Sequence, residues 1–278
     1  MDIFKEFRTP SNIRYPPFAL KSFEIYFFEY MQHNEAKKDK YIPVFWTENQ
    51  ISKNWNECKI KRQQAVETLA KDKKYFAVVQ HADGIIDTKL PGTIIFSMGG
   101  KGNIPLPLTY ENPDLFDKYK DTPKTIFCSF VGALTHGTRR DMCSVLSNKP
   151  DVIIKTPKWR KHVAVDDQKT FLDITSKSRF TLAPRGYGKT SFRLYEALHL
   201  KSIPVYIHTD IWLPYTEIID WKKMAIIIHR WQLPKLYDIL KNITDEEVVN
   251  MQNYYEQHKK LFTYEGMSDY ILQKVSDL

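Results

Sequence analysis

The chain has 278 residues, 42% of them hydrophobic, 27% charged and 14% aromatic. At roughly 150 residues per domain this length predicts two compact domains, and the composition excludes a disordered or collagen-like polypeptide. Lys and Arg number 41 against 33 Asp and Glu, a net charge of +8, which suits an anionic partner without choosing among nucleic acid, membrane and nucleotide.

No run approaches the roughly 18 apolar residues that cross a bilayer, and Met1-Asp2-Ile3-Phe4-Lys5-Glu6 has no basic region followed by an apolar stretch. The expectation is a soluble, cytoplasmic chain without a membrane segment. Cys58, Cys128 and Cys143 are odd in number, far apart and form no CxxC pair, against both a disulfide framework and a zinc site. Basic clusters such as Lys37-Lys38-Asp39-Lys40 and Lys59-Ile60-Lys61-Arg62 are short and read as solvated faces, so no nucleic-acid partner is expected.

In chain order, Ser22 to Gln32 reads as a helix, Tyr41 to Trp46 as a strand, Glu57 to Asp72 as a helix, and Tyr75 to Gln80 and Thr93 to Phe96 as strands. Met98 to Leu108 is loop-like in its glycines and prolines. A second series follows: strand Thr125 to Val131, helix Arg139 to Leu146, strand Val152 to Lys155, helix Gln168 to Ser176 and strand Arg179 to Leu182. Helix Thr190 to Leu200, strands Ile203 to Ile207 and Ala225 to Ile228, and helical stretches Leu233 to Leu240 and Asp245 to Leu261 complete it. Strands alternating with helices predict an α/β class with parallel sheets. The charged connector between Pro113 and Pro123 sets a boundary, giving Rossmann-like domains over 1–122 and 123–278 that face a cleft, with the last helix free to cross back onto the first domain.

The stretch from Arg179 to Leu198, RFTLAPRGYGKTSFRLYEAL, carries the chemistry, because it runs strand, glycine turn, helix. A helix N-terminus after such a turn presents unpaired N–H groups and partial positive charge, suited to phosphate. Thr190 or Ser191 can cap the helix, and Arg185, Lys189 and Arg193 add charge. Two readings of this anion site compete. Ala183-x4-Gly188-Lys189-Thr190 approaches a P-loop for ATP, but it has Ala for the first Gly, Pro184 and Arg185 crowd the loop, and neither Val152-Ile-Ile-Lys155 nor Ala225-Ile-Ile-Ile-His229 ends in an Asp for magnesium. In the other reading, Glu196 on the second helical turn accepts hydrogen bonds from ribose hydroxyls while the N-terminus holds a diphosphate.

Phe180-Thr-Leu-Ala-Pro-Arg-Gly186, Ser191-Phe-Arg193-Leu-Tyr-Glu196-Ala197 and Ile203-Pro-Val205 together resemble the signature of exostosin-like glycosyltransferases, family 47. The resemblance extends to Phe127-Cys-Ser-Phe-Val-Gly132 with Arg139-Arg140, to Trp212-Leu213-Pro214 and to Ile219-Asp220-Trp221, and more weakly to Tyr75–Gly84 and Asn103–Pro107. It implies a GT-B fold and inverting transfer from a UDP-sugar to an oligosaccharide or glycoprotein acceptor, with no cofactor beyond the donor. GT-B enzymes generally use basic side chains and helix dipoles in place of a metal, and no Asp-x-Asp motif is present, so metal independence is expected. The family's diphosphate-binding arginine maps onto Arg139 or Arg140, its motif serine onto Ser191, its motif arginine onto Arg193 and its ribose glutamate onto Glu196, with Arg185 and Gly186 holding the loop or touching phosphate. The compact size and Lys/Asn/Ile-rich composition are similar to microbial or large-algal-virus proteins.

An inverting displacement needs a base to deprotonate the acceptor while the leaving UDP is neutralised. Directly after strand YFAVVQ, His81-Ala82-Asp83-Gly84 places Asp83 as first candidate and His81 as second, with Glu48 third. Trp46, Tyr110 and Trp212 are candidates for sugar stacking, and Tyr187 for packing on the nucleotide. The donor leans to UDP-xylose; a carboxylate-bearing donor would want an extra cation such as Lys101 or Lys155.

Overall fold

The computed structural model describes residues 2–9, 18–34, 37–51, 55–119, 121–160 and 163–278. They fall into two compact units, 1–111 with 260–278 and 112–259.

The first unit opens with α1 (Phe23–Gln32), capped by Ser22, whose hydroxyl accepts from the Ile25 N–H. Helices α2 (Trp46–Ile51) and α3 (Trp55–Glu67) lead to β1 (Tyr75–Val79), β2 (Thr93–Ser97) and β3 (Ile104–Pro105), a parallel sheet in the order β1-β2-β3. Every residue of β1 is buried. Alternation sends Tyr75, Ala77 and Val79 into a core with Phe4, Phe7, Ile42, Val44, Trp46 and Val66. Phe76, on the other face, meets Phe27 and Tyr41 with ring centroids 6.3 and 5.4 Å away. Much of the aromatic content of this chain is therefore core.

The expected strand at Tyr41 to Trp46 is not formed. Tyr41 makes a single bridge to Phe76 and Ile42 donates to Phe76 O at 2.9 Å, after which Pro43 has no N–H to give and Val44 N–H turns back to Ile42 O at 3.0 Å. Conversely, the expected loop at 98–108 holds β3, because Asn103 fastens it: its side chain accepts from Ile95 N–H and its own N–H donates to Ile95 O, both at 2.8 Å.

The second unit comprises α4 (Pro113–Asp117), β4 (Ile126–Val131), α5 (Gly137–Leu146), β5 (Val152–Lys155), α6 (Val165–Lys177), β6 (Ser178–Pro184), α7 (Phe192–His199), β7 (Ile203–His208) and β8 (Ile226–His229). A 3-10 turn at Arg230–Lys235 passes into α8 (Leu236–Lys241), and α9 (Asp245–His258) follows. Pro234 interrupts what reads in sequence as one helix. The sheet is entirely parallel in the order β5-β4-β6-β7-β8, over a core that includes Cys128, Phe130, Phe180, Leu182, Val205 and Ile207. This is a Rossmann-like arrangement in the 2-1-3-4-5 order of doubly wound folds.

The chain returns to the first unit with α10 (Tyr264–Lys274), a helix the sequence reading did not contain. Its Tyr264 ring packs 5.2 Å from Phe23, and its hydroxyl donates to Lys21 O at 2.9 Å. Among the described residues no helix is long and apolar enough to cross a membrane.

Candidate functional site

In a sheet of order 2-1-3-4-5 the connections leave β4 and β6 toward opposite faces, opening a crevice beyond their carboxyl ends. The two segments singled out in sequence, 132–140 and 185–196, follow those two strands. Arg139, in the first turn of α5, spans the gap: Nε donates to Arg185 O at 3.1 Å, Nη1 to Ala133 O at 2.7 Å, and Nη2 to Ser191 Oγ at 3.4 Å and Pro184 O at 3.5 Å. Arg139 is 5% exposed, and among the described residues no carboxylate pairs with it. Burial, and then the nearby Arg193 charge, bring its pKa down to about 9. A buried, uncompensated guanidinium is costly in a free protein and favours an anion beside it.

The surroundings carry further unspent polar capacity. Thr190 Oγ1 and Thr135 Oγ1 are buried with no hydrogen-bond partner. A Cβ on Gly186 would lie 3.8 Å from Thr135 Oγ1 and 3.1 Å from Arg139 Nη2, so the glycine keeps this space open. Ser191, not Thr190, is the N-cap of α7; it accepts from Arg193 N–H at 3.4 Å. Arg193 lays its guanidinium over the Phe130 and Phe171 rings, 5.6 and 5.7 Å from their centroids, and Nε donates to Val131 O at 2.5 Å. Any side chain at Gly132 would collide with it, since a Cβ there falls 2.5 Å from Nη2. Glu196 is buried at 6% exposure on the same helix.

Arg185 braces the loop internally. Nε donates to Gly188 O at 3.2 Å, Nη1 to Thr209 Oγ1 at 2.6 Å and Nη2 to Tyr187 O at 3.5 Å, with Asp210 3.5 Å away. The loop thus turns two carbonyls onto Arg185, and Lys189 Nζ sits 5.6 Å over the Trp212 ring. A P-loop would turn its amides and its lysine to phosphate instead. Tyr187 is 56% exposed and meets Trp159 edge-on at 6.5 Å. Arg140 is exposed and, among the described residues, its one hydrogen bond goes to Leu134 O at 3.5 Å, so Arg139 is the arginine that the fold places at the crevice.

In the first unit, the segments beyond the carboxyl ends of β1 and β2 pack tightly. Gly84 has φ +69°, and a Cβ there would lie 2.4 Å from Lys101 O. Asp83 N–H donates to His81 Nδ1 at 3.2 Å, which puts the proton of a neutral imidazole on Nε2. Burial lowers the His81 pKa, opposed by Asp83 and reinforced by Lys101, so the ring is neutral near pH 7 and offers a donor rather than a lone pair. Asp83 is half-buried beside it, and Glu48, in the first turn of α2, is buried at 5% exposure.

Residues 94–243, just over half of the chain, match the exostosin GT47 domain. The chain belongs to the exostosin GT47 family. It is 27% identical over 191 residues to a probable glucuronosyltransferase of Oryza sativa subsp. japonica, covering 61% of this chain and 43% of that protein. A second probable glucuronosyltransferase of rice, GUT1, is 28% identical over 144 residues, 48% of this chain and 32% of its own. A probable glycosyltransferase of Arabidopsis thaliana is 30% identical over 77 residues, 28% of this chain and 16% of its own. The chain thus matches less than half the length of these relatives.

The GT47 region runs from the second residue of β2 through β8, and includes all the residues gathered around Arg139. Arg139, Arg185, Gly186, Ser191 and Arg193 converge at the crevice, and Glu196 lies on the helix that starts there. Trp46 is fully buried among Phe4, Phe7 and Val66, and Tyr110 is 3% exposed, so neither presents an open ring face for a sugar. Sequence reasoning missed Thr135 and His136, which follow β4 without any motif. It also missed His208, stacked on Tyr206 at 5.4 Å and edge-on to His229 at 5.2 Å, with Nδ1 buried and unpartnered. The register that pairs His208 with His229 at the ends of β7 and β8 becomes visible only once those strands are placed side by side.

Proposed function

We propose that this GT47 chain is a glycosyltransferase of GT-B type that takes a sugar from a UDP-sugar and transfers it, with inversion and without a metal, to a hydroxyl of a glycan acceptor. The observation that carries the reading is Arg139, a buried guanidinium with no carboxylate partner among the described residues, in a crevice whose two flanking segments, after β4 and β6, carry the unpartnered hydroxyls of Thr135 and Thr190. A diphosphate supplies the missing negative charge and the acceptors those hydroxyls lack, and the α7 N-terminus adds its dipole. In transfer the same groups stabilise the charge that develops on the leaving UDP. Glu196 is assigned to the ribose hydroxyls, and Asp83 to the acceptor proton, with His81 Nε2–H as a hydrogen-bond donor beside it.

The relatives named glucuronosyltransferases make UDP-glucuronate the donor to try first, ahead of UDP-xylose. A carboxylate at C5 asks for one more cation, and Lys155, exposed at the end of β5, stands at the same sheet edge. The test is calorimetric titration in EDTA with UDP, UDP-glucuronate, UDP-galactose and UDP-xylose, and with ATP plus magnesium as comparison. UDP binding that survives EDTA and is absent for ATP is the expected result. ATP binding with no response to UDP overturns the reading.

A further inference from the structure

The least explained ionisable group in the first unit is Glu24. It lies in the first turn of α1, is fully buried, and no cation pairs with it among the described residues. Its carboxylate collects four short contacts: Oε1 accepts from Gln80 N–H at 2.7 Å and from Thr47 Oγ1 at 2.5 Å, and the Thr47 N–H lies 3.2 Å from Oε1 and 3.0 Å from Oε2. Each gripped residue immediately precedes a candidate for the acceptor chemistry. Thr47 precedes Glu48, and Gln80 precedes the His81-Ala82-Asp83 segment.

Gln80 extends the grip. Its side-chain oxygen accepts from Phe23 N–H at 2.9 Å, one of the unpaired donors at the start of α1, and its amide donates to Thr109 O at 3.0 Å. The start of α1, the start of α2 and the end of β1 are therefore tied at one carboxylate and one carboxamide. Three elements whose backbones share no ladder meet there.

We infer that Glu24 is a positioning residue whose carboxyl group, by holding Thr47 and Gln80 together, sets the placement of Glu48 and of the His81–Asp83 turn for proton transfer from the acceptor. The inference rests on the transferase reading of those residues, not on the assignment of the base to one of them. Burial raises the Glu24 pKa to about 8, against the hydrogen bonds from Gln80 and Thr47 that lower it, and Glu48 adds to the rise. A core leucine would avoid that cost but could not reach both segments with hydrogen bonds, whereas Glu24 Oε1 accepts from each and Oε2 from the Thr47 N–H.

The experiment compares Glu24→Asp, Glu24→Gln and Val66→Ala in the full chain. Val66 is a core residue of the same unit, so its truncation lowers stability without touching the grip. The readouts are UDP affinity, kcat from UDP release with UDP-glucuronate, UDP-galactose and UDP-xylose, the sugar passing to an added oligosaccharide hydroxyl or to water, and the His81 imidazole resonance in histidine-labelled protein, assigned with His81→Gln. Aspartate keeps the acid but is one methylene short of holding both Thr47 and Gln80. It is expected to shift the His81 resonance and lower kcat 10- to 100-fold at unchanged UDP affinity. Glutamine keeps the reach and stays within about twofold of wild type at pH 7, and Val66→Ala leaves kcat and the His81 signal in place. A Glu24→Asp protein with wild-type kcat and an unmoved His81 signal overturns the inference. If wild type turns over none of these donors, the transferase reading falls, and the His81 resonance alone still shows whether Glu24 sets that turn: a shift in Glu24→Asp but not in Val66→Ala upholds the grip, and no shift removes it.

Discussion

Replacing Arg139 by Met should separate stability from ligand binding. The descent of its pKa from 12.5 to about 9 on folding corresponds to about 5 kcal/mol against keeping the charge where it is. Methionine removes that cost and fills most of the space. It also removes the donor for Ala133 O, Pro184 O, Arg185 O and Ser191 Oγ, each worth about 1 kcal/mol net. The two effects nearly cancel, so Arg139→Met should unfold in urea within about 2 kcal/mol of wild type. UDP affinity should behave differently. Charge-assisted hydrogen bonds to a diphosphate contribute about 1.5–3 kcal/mol each, and a planar guanidinium offers two, so calorimetry should show a loss of at least about 100-fold. Lysine at this position keeps the charge but not the fork, and should recover only part of the binding. An Arg139→Met protein that binds UDP within threefold of wild type refutes the assignment of the anion site. One destabilised by more than about 4 kcal/mol shows that Arg139 is held for structure, and the argument from its uncompensated charge then fails.

Glu196→Gln should weaken UDP by about 1–3 kcal/mol yet leave pyrophosphate affinity unchanged, if its carboxylate serves the ribose; equal losses for the two ligands would move Glu196 to the phosphate side. Gly132→Ala forces a methyl into the Arg193 guanidinium and should cost about 1–3 kcal/mol in urea unfolding while lowering UDP affinity, and a neutral outcome would mean that Arg193 is free to swing aside. Because Glu24 has a folded pKa near 8 against 4.5 unfolded, its contribution to stability is full below pH 4.5 and is lost as pH rises to 8. The fall is about 5 kcal/mol and should appear in the difference between wild type and Glu24→Gln across urea unfolding at pH 5 to 9; parallel pH profiles of the two proteins would show that Glu24 is ionised in the fold.

The parts of the fold that were legible in sequence are those in which local pattern and tertiary demand agree. The buried runs YFAVV, IFCSFV and IPVYIH form β1, β4 and β7 because they are covered on both faces, as parallel strands are. YIPVFW is as apolar, but its ladder ends after one bridge because Val44 N–H turns back to Ile42 O; the proline alone does not decide this, since Pro204 sits within β7. The crevice was legible as a strand, a glycine turn and a helix, together with the capping Ser191. What could not be read is which of two adjacent arginines turns inward. Arg139 and Arg140 are adjacent, and the helical phase of α5 buries one and exposes the other. Glu24 carried no signal either, because a carboxylate near the start of a helix ordinarily faces solvent near the helix dipole. Its partners, Thr47 and Gln80, lie 23 and 56 residues away in sequence.

The boundaries of the family match add a last step. Residues 94–243 take in every strand of the second unit but leave β1, α1, α2 and the His81–Asp83 turn outside. What this chain shares with the GT47 domain is therefore chiefly the second unit, to which the proposed function assigns the diphosphate, a group common to every nucleotide diphosphate sugar. The segment that supplies the proposed base and its Glu24 grip lies where the domain match does not extend. Acceptors differ among transferases far more than the leaving group does, so specificity for the acceptor is expected to reside in residues 1–93. Exchanging residues in that segment should change which hydroxyl is glycosylated while UDP affinity stays constant. A change in UDP affinity that tracks substitutions there would instead mean that the first unit takes part in holding the nucleotide, and the division of labour would have to be redrawn.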